Sequence, residues 1–350
     1  MRPLNRLWPA YRAYLRRRTT PILVGPFRGE IGFEALYWVP FVRALGLPRS
    51  RLVTVTRGGA GLWYPADQHV ELFDLRDPRD LRIENIRQKQ QTGLLKQLAT
   101  TAFDRAVVRD AAAALHLRHY DVLHPSWMYQ TLEPFWIGRQ GLAWLTARLL
   151  PDGHKPEPLA AIEATGLTLP EAFVAVRFYA RSTFPISEVT NAVVRSTVEH
   201  LARERPVVVL NSPLHFDEHL DFPLPEMPNV WQLKDAKILT PQNNLALQSA
   251  ILSRAVGFVG TYGGLAQLAV QFRKPSLSWY VDWQGTALAH HHWAQALSLV
   301  YKVPYHVLPV RDLPYLRAFM PRLTVTQTGP STRAADPVFR PAVPVETPVA

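Results

Sequence analysis

From about residue 20 to about residue 320, short apolar and β-branched runs alternate with longer stretches of helical periodicity. Strand-like runs stand at Pro21–Gly25, Arg51–Thr56, Val70–Leu75 and Tyr120–His124, and again at Ala172–Phe178, Pro206–Asn211, Asn229–Leu233, Val256–Gly260 and Pro275–Val281. Helical patterns fill the intervals: Phe33–Leu45, Leu81–Leu115 with a break near Gly93, and Ile137–Leu150, then Glu188–Arg205, Pro241–Ala255, Gly263–Phe272, Thr286–Tyr301 and a short one near Leu313–Phe319. Strands that are apolar on both faces belong in parallel sheets covered by helices on both sides. That pattern excludes an all-β or a helical-bundle chain.

The polar, proline-rich stretch Pro151–Pro158 divides the alternation in two, and 350 residues suit two domains of ordinary size. The expected fold class is therefore α/β, with two Rossmann-like domains facing a central cleft. The first would span 20–155 and the second 156–322. A basic amphipathic arm over 1–19 would precede them, and a disordered proline-rich tail over 323–350 would follow. Ligands of open α/β sheets bind beyond the carboxyl ends of the strands, so the loops that follow strands carry the chemistry.

Charge and composition narrow the partners. The formal net charge is +11, and the arm holds Arg2, Arg6, Arg12, Arg16, Arg17 and Arg18 with no acid. Leu4, Leu7, Trp8, Tyr11, Tyr14 and Leu15 recur in it at amphipathic-helix spacing. Two readings stand: the arm docks on anionic lipid headgroups, or it packs on its own protein. Basic residues past the arm are interleaved with acids and no nucleic-acid motif appears, so a nucleic-acid partner is not expected. Cysteine is absent, which removes disulfides, thiolate metal sites and thiol nucleophiles together. No run reaches the ~20 apolar residues that span a bilayer, and arginines interrupt any signal-peptide core. A cytoplasmic location follows, with the arm as a route to the inner membrane face.

Three strand-end loops stand out. The first, Gly25-Pro-Phe-Arg-Gly29-Glu30-Ile-Gly32-Phe-Glu34, follows the first strand and leads into a helix. Its glycines Gly25, Gly29 and Gly32 let backbone amides approach a ligand. Glu30 is the candidate general base and Glu34, one turn on, its companion; the bland alternative for Glu30 is stabilisation of a helix start. The second loop carries Arg177, Tyr179 and Arg181, which alternate and so share one face, followed by Ser182. Two guanidiniums there form a clamp for a diphosphate. The third, Gly260-Thr261-Tyr262-Gly263-Gly264 with Gln267 after it, is a tight turn into a helix. Thr261 would cap that helix while its free amides face an anion.

Weaker features complete the set. Asn211, Asp235 and Lys237 follow strands and could meet a base or ribose. His215-Phe-Asp-Glu218-His219 matches the H-x-x-E-H zinc pattern but is crowded by Pro213, Pro223 and Pro225. His290, His291 and His292 point in different directions on one helix, and His124 ends a strand. No metal is expected, for want of a D-x-D motif. Trp63, Tyr64, Trp127, Tyr129, Trp136 and Trp283 are core residues or part of a sugar-stacking platform.

Asn243–Tyr280, with Asn244, Gln248 and Ala255 on a helix, then FVGTYGGLAQLA, then KPSLSWY, resembles the donor-binding half of the GT-B glycosyltransferases. Gly25–Glu34 is similar in placement to their acceptor-side loop, and Arg177 and Arg181 to the phosphate-binding arginines of fucosyltransferase-like members. The resemblance implies a nucleotide-sugar donor as substrate with no cofactor, a glycan or lipid-linked acceptor, metal-independent transfer and cell-envelope polysaccharide assembly. The loop is GPFRGEIG rather than GGxGxxS, and no E-x7-E motif is evident. A sugar-nucleotide epimerase of the same fold and a non-catalytic sugar-nucleotide or glycan-binding scaffold are the alternatives.

Overall fold

A computed structural model describes residues 7–92, 97–150, 159–160, 166–214, 220–283 and 287–312. The linker at 151–158, the H-x-x-E-H stretch, the short helix near 313–319 and the tail lie outside the described residues.

The first half builds a four-stranded sheet from β1 (Ile22–Val24), β2 (Leu52–Thr56), β3 (Gln68–Glu71) and β4 (Asp121–Leu123). The second half supplies β5 (Val174–Arg177), β6 (Tyr179–Ala180), β7 (Val207–Val209), β8 (Leu220–Asp221), β9 (Val230–Gln232), β10 (Gly257–Thr261), β11 (Ser276–Tyr280) and β12 (Tyr305–Pro309). The small sheet runs β3-β2-β1-β4 and the large one β12-β11-β10-β5-β7-β9, every pair parallel. β6 and β8 form a separate antiparallel ribbon. Counted within each sheet, both place the first strand beside the fourth, so the order reverses there. In such sheets a crevice opens at this switch point, beyond the carboxyl ends of the two strands. For the second sheet those ends are Arg177 and Thr261; for the first they lead into Gly25–Glu30 and His124.

Every strand read from the sequence is present, and the differences have local causes. The run Val70–Leu75 stops being extended at Glu71, whose carboxylate accepts the Phe73 amide and starts the helical turn Leu72–Leu75. Phe33–Leu45 is helical but interrupted: Glu34–Trp38 adopts π geometry between the turns Ile31–Phe33 and Val39–Arg43. The helix expected at Ile137–Leu150 begins at Leu142, and an unforeseen helix spans Ser126–Trp136. β12 is also unforeseen, since its flanking prolines argue for a turn while its backbone pairs with β11.

One apolar core runs through both halves. The helix Gly264–Gln271 lies against the turn Ile31–Phe33, and a Cβ at Gly264 would come within 2.9 Å of Ile31. Trp63 Nε1 donates to Ser249 Oγ at 3.0 Å, Trp293 Nε1 to the Leu36 carbonyl at 3.0 Å, and Tyr37 Oη bonds His290 Nδ1 at 2.8 Å. His290 thus joins the halves rather than facing a ligand.

The arm settles on its own protein. Helix Trp8–Arg17 stacks Trp8 on Phe41 at 4.4 Å and Tyr11 on Trp127 at 4.4 Å, and it buries Leu15 completely. Arg12 and Arg16 donate to the carbonyls of Ala44 and Leu45 at 2.8 Å each. Trp8, Tyr11 and Leu15 of the amphipathic face are used in packing, while Leu7 and Tyr14 are 48% and 44% exposed. Arg17 and Arg18 remain exposed. Among the described residues no helix is long and apolar enough to cross a membrane.

Candidate active site

On the second-half wall, β5 ends at Arg177 and Phe178 turns inward, so Arg177, Tyr179 and Arg181 face the cleft together, as alternation predicts. Arg177 is held from two sides. Its Nε meets Asp221 Oδ1 at 3.0 Å and its Nη1 meets Gln248 Oε1 at 2.9 Å. Gln248 is steadied in turn by Asn244 Oδ1 at 2.8 Å. Arg181 Nη1 and the Tyr179 hydroxyl both lie against Gly263, and the buried Arg181 Nε has no partner among the described residues. Gly264 and Leu265, at the start of helix Gly264–Gln271, complete this wall with free amides and the positive helix end.

The first-half wall carries Glu30, in extended backbone just before the turn Ile31–Phe33, with no capping hydrogen bond from its side chain. Glu30 itself borders the cleft. Beside it is Arg57, whose Nη1 pairs with Glu34 Oε2 at 3.0 Å and whose Nη2 bonds the Gly29 carbonyl. Arg57 thereby ties the Glu30 loop to the loop after β2. That second loop is Arg57-Gly58-Gly59, both glycines left-handed (φ 65° and 78°), and Glu71 accepts their amides at 2.9 and 2.8 Å. Burial pushes the Glu71 carboxyl up to about 7, against the pull of those amides and that of Phe73. Phe73, Leu214 and Leu245 add apolar surface to the cleft.

Behind Glu30 lies a buried polar network. Arg28 Nε meets Asp104 Oδ1 at 2.8 Å, and its other nitrogens reach Asn85 Oδ1 at 2.7 Å and Gln88 Oε1 at 2.8 Å. Asp104 also accepts from Thr101 and lies 3.2 Å from His124 Nε2. Burial alone would raise the Asp104 carboxyl; the His124 ring nitrogen 3.2 Å away and the Arg28 charge outweigh it and hold it well below the usual range.

Glu34 is corrected as a catalytic candidate. It is wholly buried, with Oε1 taken by Thr56 and Tyr64 at 2.6 Å each and Oε2 by Arg57, so it orients Arg57 and reaches no substrate. The loop glycines are also corrected. A Cβ at Gly25 (φ 128°) would overlap the Val55 carbonyl, one at Gly29 would press on Tyr129 Oη at 2.9 Å, and one at Gly32 would overlap Gln267. They admit protein neighbours; of the three, only Gly32 borders the cleft.

The third loop divides. Gly264 borders the cleft, but Thr261 does not cap: its hydroxyl accepts the Tyr179 amide and donates to the Tyr179 carbonyl, both at 3.1 Å. Tyr262 and Gln267 are buried, Tyr262 Oη on the Ala287 carbonyl and Gln267 Nε2 on Tyr262 Oη. Gly263 is pressed by Tyr179. Asn211 is buried, donating to the Phe222 carbonyl at 3.0 Å, while exposed Ser182, Asp235 and Lys237 border no part of the cleft.

His124 serves the Asp104 network, and His291 packs against Trp283. Trp63, Tyr64, Tyr129 and Trp136 are buried core, and half-buried Trp127 supports the arm. Sequence reading passed over Arg57, although Thr56-Arg57-Gly58-Gly59 follows a strand as the other loops do. Among the described residues no group of three His, Asp or Glu could hold a metal ion.

No protein-family model matches the chain, and no curated protein sequence does. Solved structures with a similar course of chain include a glycosyl transferase of family 9 from Veillonella parvula, at 13% identity and TM-score 0.45, covering 89% of this chain and 92% of that one. The E. coli heptosyltransferase WaaC with ADP shows 13% identity, TM-score 0.45 and coverage of 87% and 99%. A UDP-GlcNAc 2-epimerase from Methanocaldococcus jannaschii shows 9%, 0.37, and 88% and 94%. The two parallel sheets with paired switch points match the α/β architecture expected from the sequence.

Proposed function

We propose that the chain is a glycosyltransferase that moves a sugar from a nucleotide-sugar donor to a glycan or lipid-linked acceptor in cell-envelope polysaccharide assembly. One observation carries this reading: a carboxylate from one half, Glu30, and two guanidiniums from the other, Arg177 and Arg181, border one cleft beside a helix N-terminus. Glu30 takes the proton of the acceptor hydroxyl as its oxygen bonds the anomeric carbon. The bond from that carbon to the diphosphate breaks, and the charge on the leaving diphosphate is met by Arg177, Arg181 and the amides of Gly264 and Leu265. Charge stabilisation by arginines and a helix end suits transfer without a metal. The exposed Arg17 and Arg18, with exposed Leu7 and Tyr14, leave the arm a route to an anionic membrane face.

Isothermal calorimetry against UDP, GDP, ADP, dTDP and CMP, without metal, tests the donor half. Selective binding lost in Arg177→Ala supports it; no binding by folded protein overturns it. A transfer assay with the selected donor then tests Glu30, whose Gln variant should lose turnover while nucleotide affinity stays within a few-fold. Turnover of the donor with no acceptor present would make the chain an epimerase instead.

A further inference from the structure

Two guanidiniums on one short strand end repel each other, and each is a long, rotamer-rich side chain. Something must hold them in register before an anion arrives. Arg177 has Asp221 and Gln248 for that purpose, but Arg181 has neither. What lies between them is Tyr179. Its ring sits under the Arg177 guanidinium, 5.6 Å from centroid to carbon, and its hydroxyl and Arg181 Nη1 lie side by side against Gly263. Its own backbone is clamped at both ends by the Thr261 hydroxyl, and β6 pairs it with Asp221, the partner of Arg177. Only 6% of Tyr179 is exposed, so the ring has one place to be.

Gly263 reports the same constraint from the other side. A Cβ there would overlap the Tyr179 hydroxyl and come within 3.2 Å of Arg181 Nη1. The glycine makes room for both the hydroxyl and the guanidinium. A neutral hydroxyl orients Arg181 without cancelling its charge, whereas Asp221 partly cancels that of Arg177.

We propose that Tyr179 is a positioning residue that sets the spacing of Arg177 and Arg181, so that the cleft takes a nucleoside diphosphate with one guanidinium to each phosphate. The inference rests on the donor reading above. Its signature is the second phosphate: loss of the hydroxyl weakens a diphosphate and spares the matching monophosphate.

The test is calorimetry with the nucleoside diphosphate the wild type selects and its monophosphate, on wild type, Tyr179→Phe, Gly263→Ala and the double variant, with thermal midpoints as the folding control. Tyr179→Phe is expected to raise the diphosphate Kd about 5- to 10-fold, the size of one hydrogen bond. The monophosphate Kd should move by less than about 2-fold, on the same argument. Gly263→Ala should reproduce this pattern alone and add little in the Phe background, the non-additivity of groups in contact. Equal losses for both nucleotides, or no loss in Tyr179→Phe, overturn the proposal. If wild type binds neither nucleotide the donor reading has failed, and this inference falls with it before any variant is compared.

Discussion

The two walls of the cleft treat charge in opposite ways. In the first half, Arg28 with Asp104 and Arg57 with Glu34 are buried ion pairs whose oxygens are shared among several donors. In the second, Arg177 and Asp221 keep 16% and 15% of their side chains exposed, and Arg181 Nε has no partner among the described residues. Buried pairs are costly to break but contribute little to a ligand, because their charges are already spent on each other. Pairs at the edge of a cleft contribute little to stability and can trade partners. The first wall is built to hold one carboxylate, Glu30, in place; the second is built to receive an anion.

The contrast can be broken most severely at Asp104. Asp104→Asn should destabilise the chain by about 3–5 kcal/mol at pH 7, because buried Arg28 would lose its close partner and keep only Glu84, 3.7 Å away, as counter-charge. Its carboxyl is held low in the folded chain, so its stabilisation is present above the unfolded value near 4 and is lost as pH falls through the folded one. The gap between wild type and variant in urea denaturation should therefore narrow as pH falls from about 4; a gap independent of pH would mean the pair is not the cause.

Next comes Glu30→Gln, expected to slow transfer by about 10²–10⁴-fold while changing stability by no more than about 0.5 kcal/mol. A large stability loss would place Glu30 with the buried network instead. Arg177→Ala should weaken nucleotide binding about tenfold and cost about 1 kcal/mol of stability or less. Smallest of all, reversing Arg17 and Arg18 to Glu should leave nucleotide affinity unchanged, and stability within about 0.5 kcal/mol. Vesicle co-sedimentation with anionic lipid shows whether that charge binds a surface.

Most strands were legible because a buried parallel strand must be apolar on both faces, and Val207–Val209 or Ile22–Val24 can be little else. The arginine face was legible too, since alternation along an extended strand is a property of the backbone. The roles of the glycines were not. Gly29 and Gly32 look like ligand-binding glycines by position, and only the arrival of Tyr129 and Gln267 from distant segments shows that they make room for protein. Thr261 looks like a cap for the helix that follows, yet its hydroxyl faces a strand 82 residues away. Glu34 and Glu30 are four residues apart, and nothing local says that one will be sealed under Tyr64 and the other left open.

By itself, then, the sequence determined the layered α/β architecture, the strand-end placement of Glu30, Arg177 and Arg181, and the amphipathic face of the arm, because periodicity acts over a few residues. Only the tertiary structure decided which polar groups pair off. It buried Glu34 with Arg57, used the arm's aromatics against Phe41 and Trp127, and set Tyr179 between two arginines. The physical reason is that the worth of a charge depends on its dielectric surroundings and partners, which segments far apart in the chain supply.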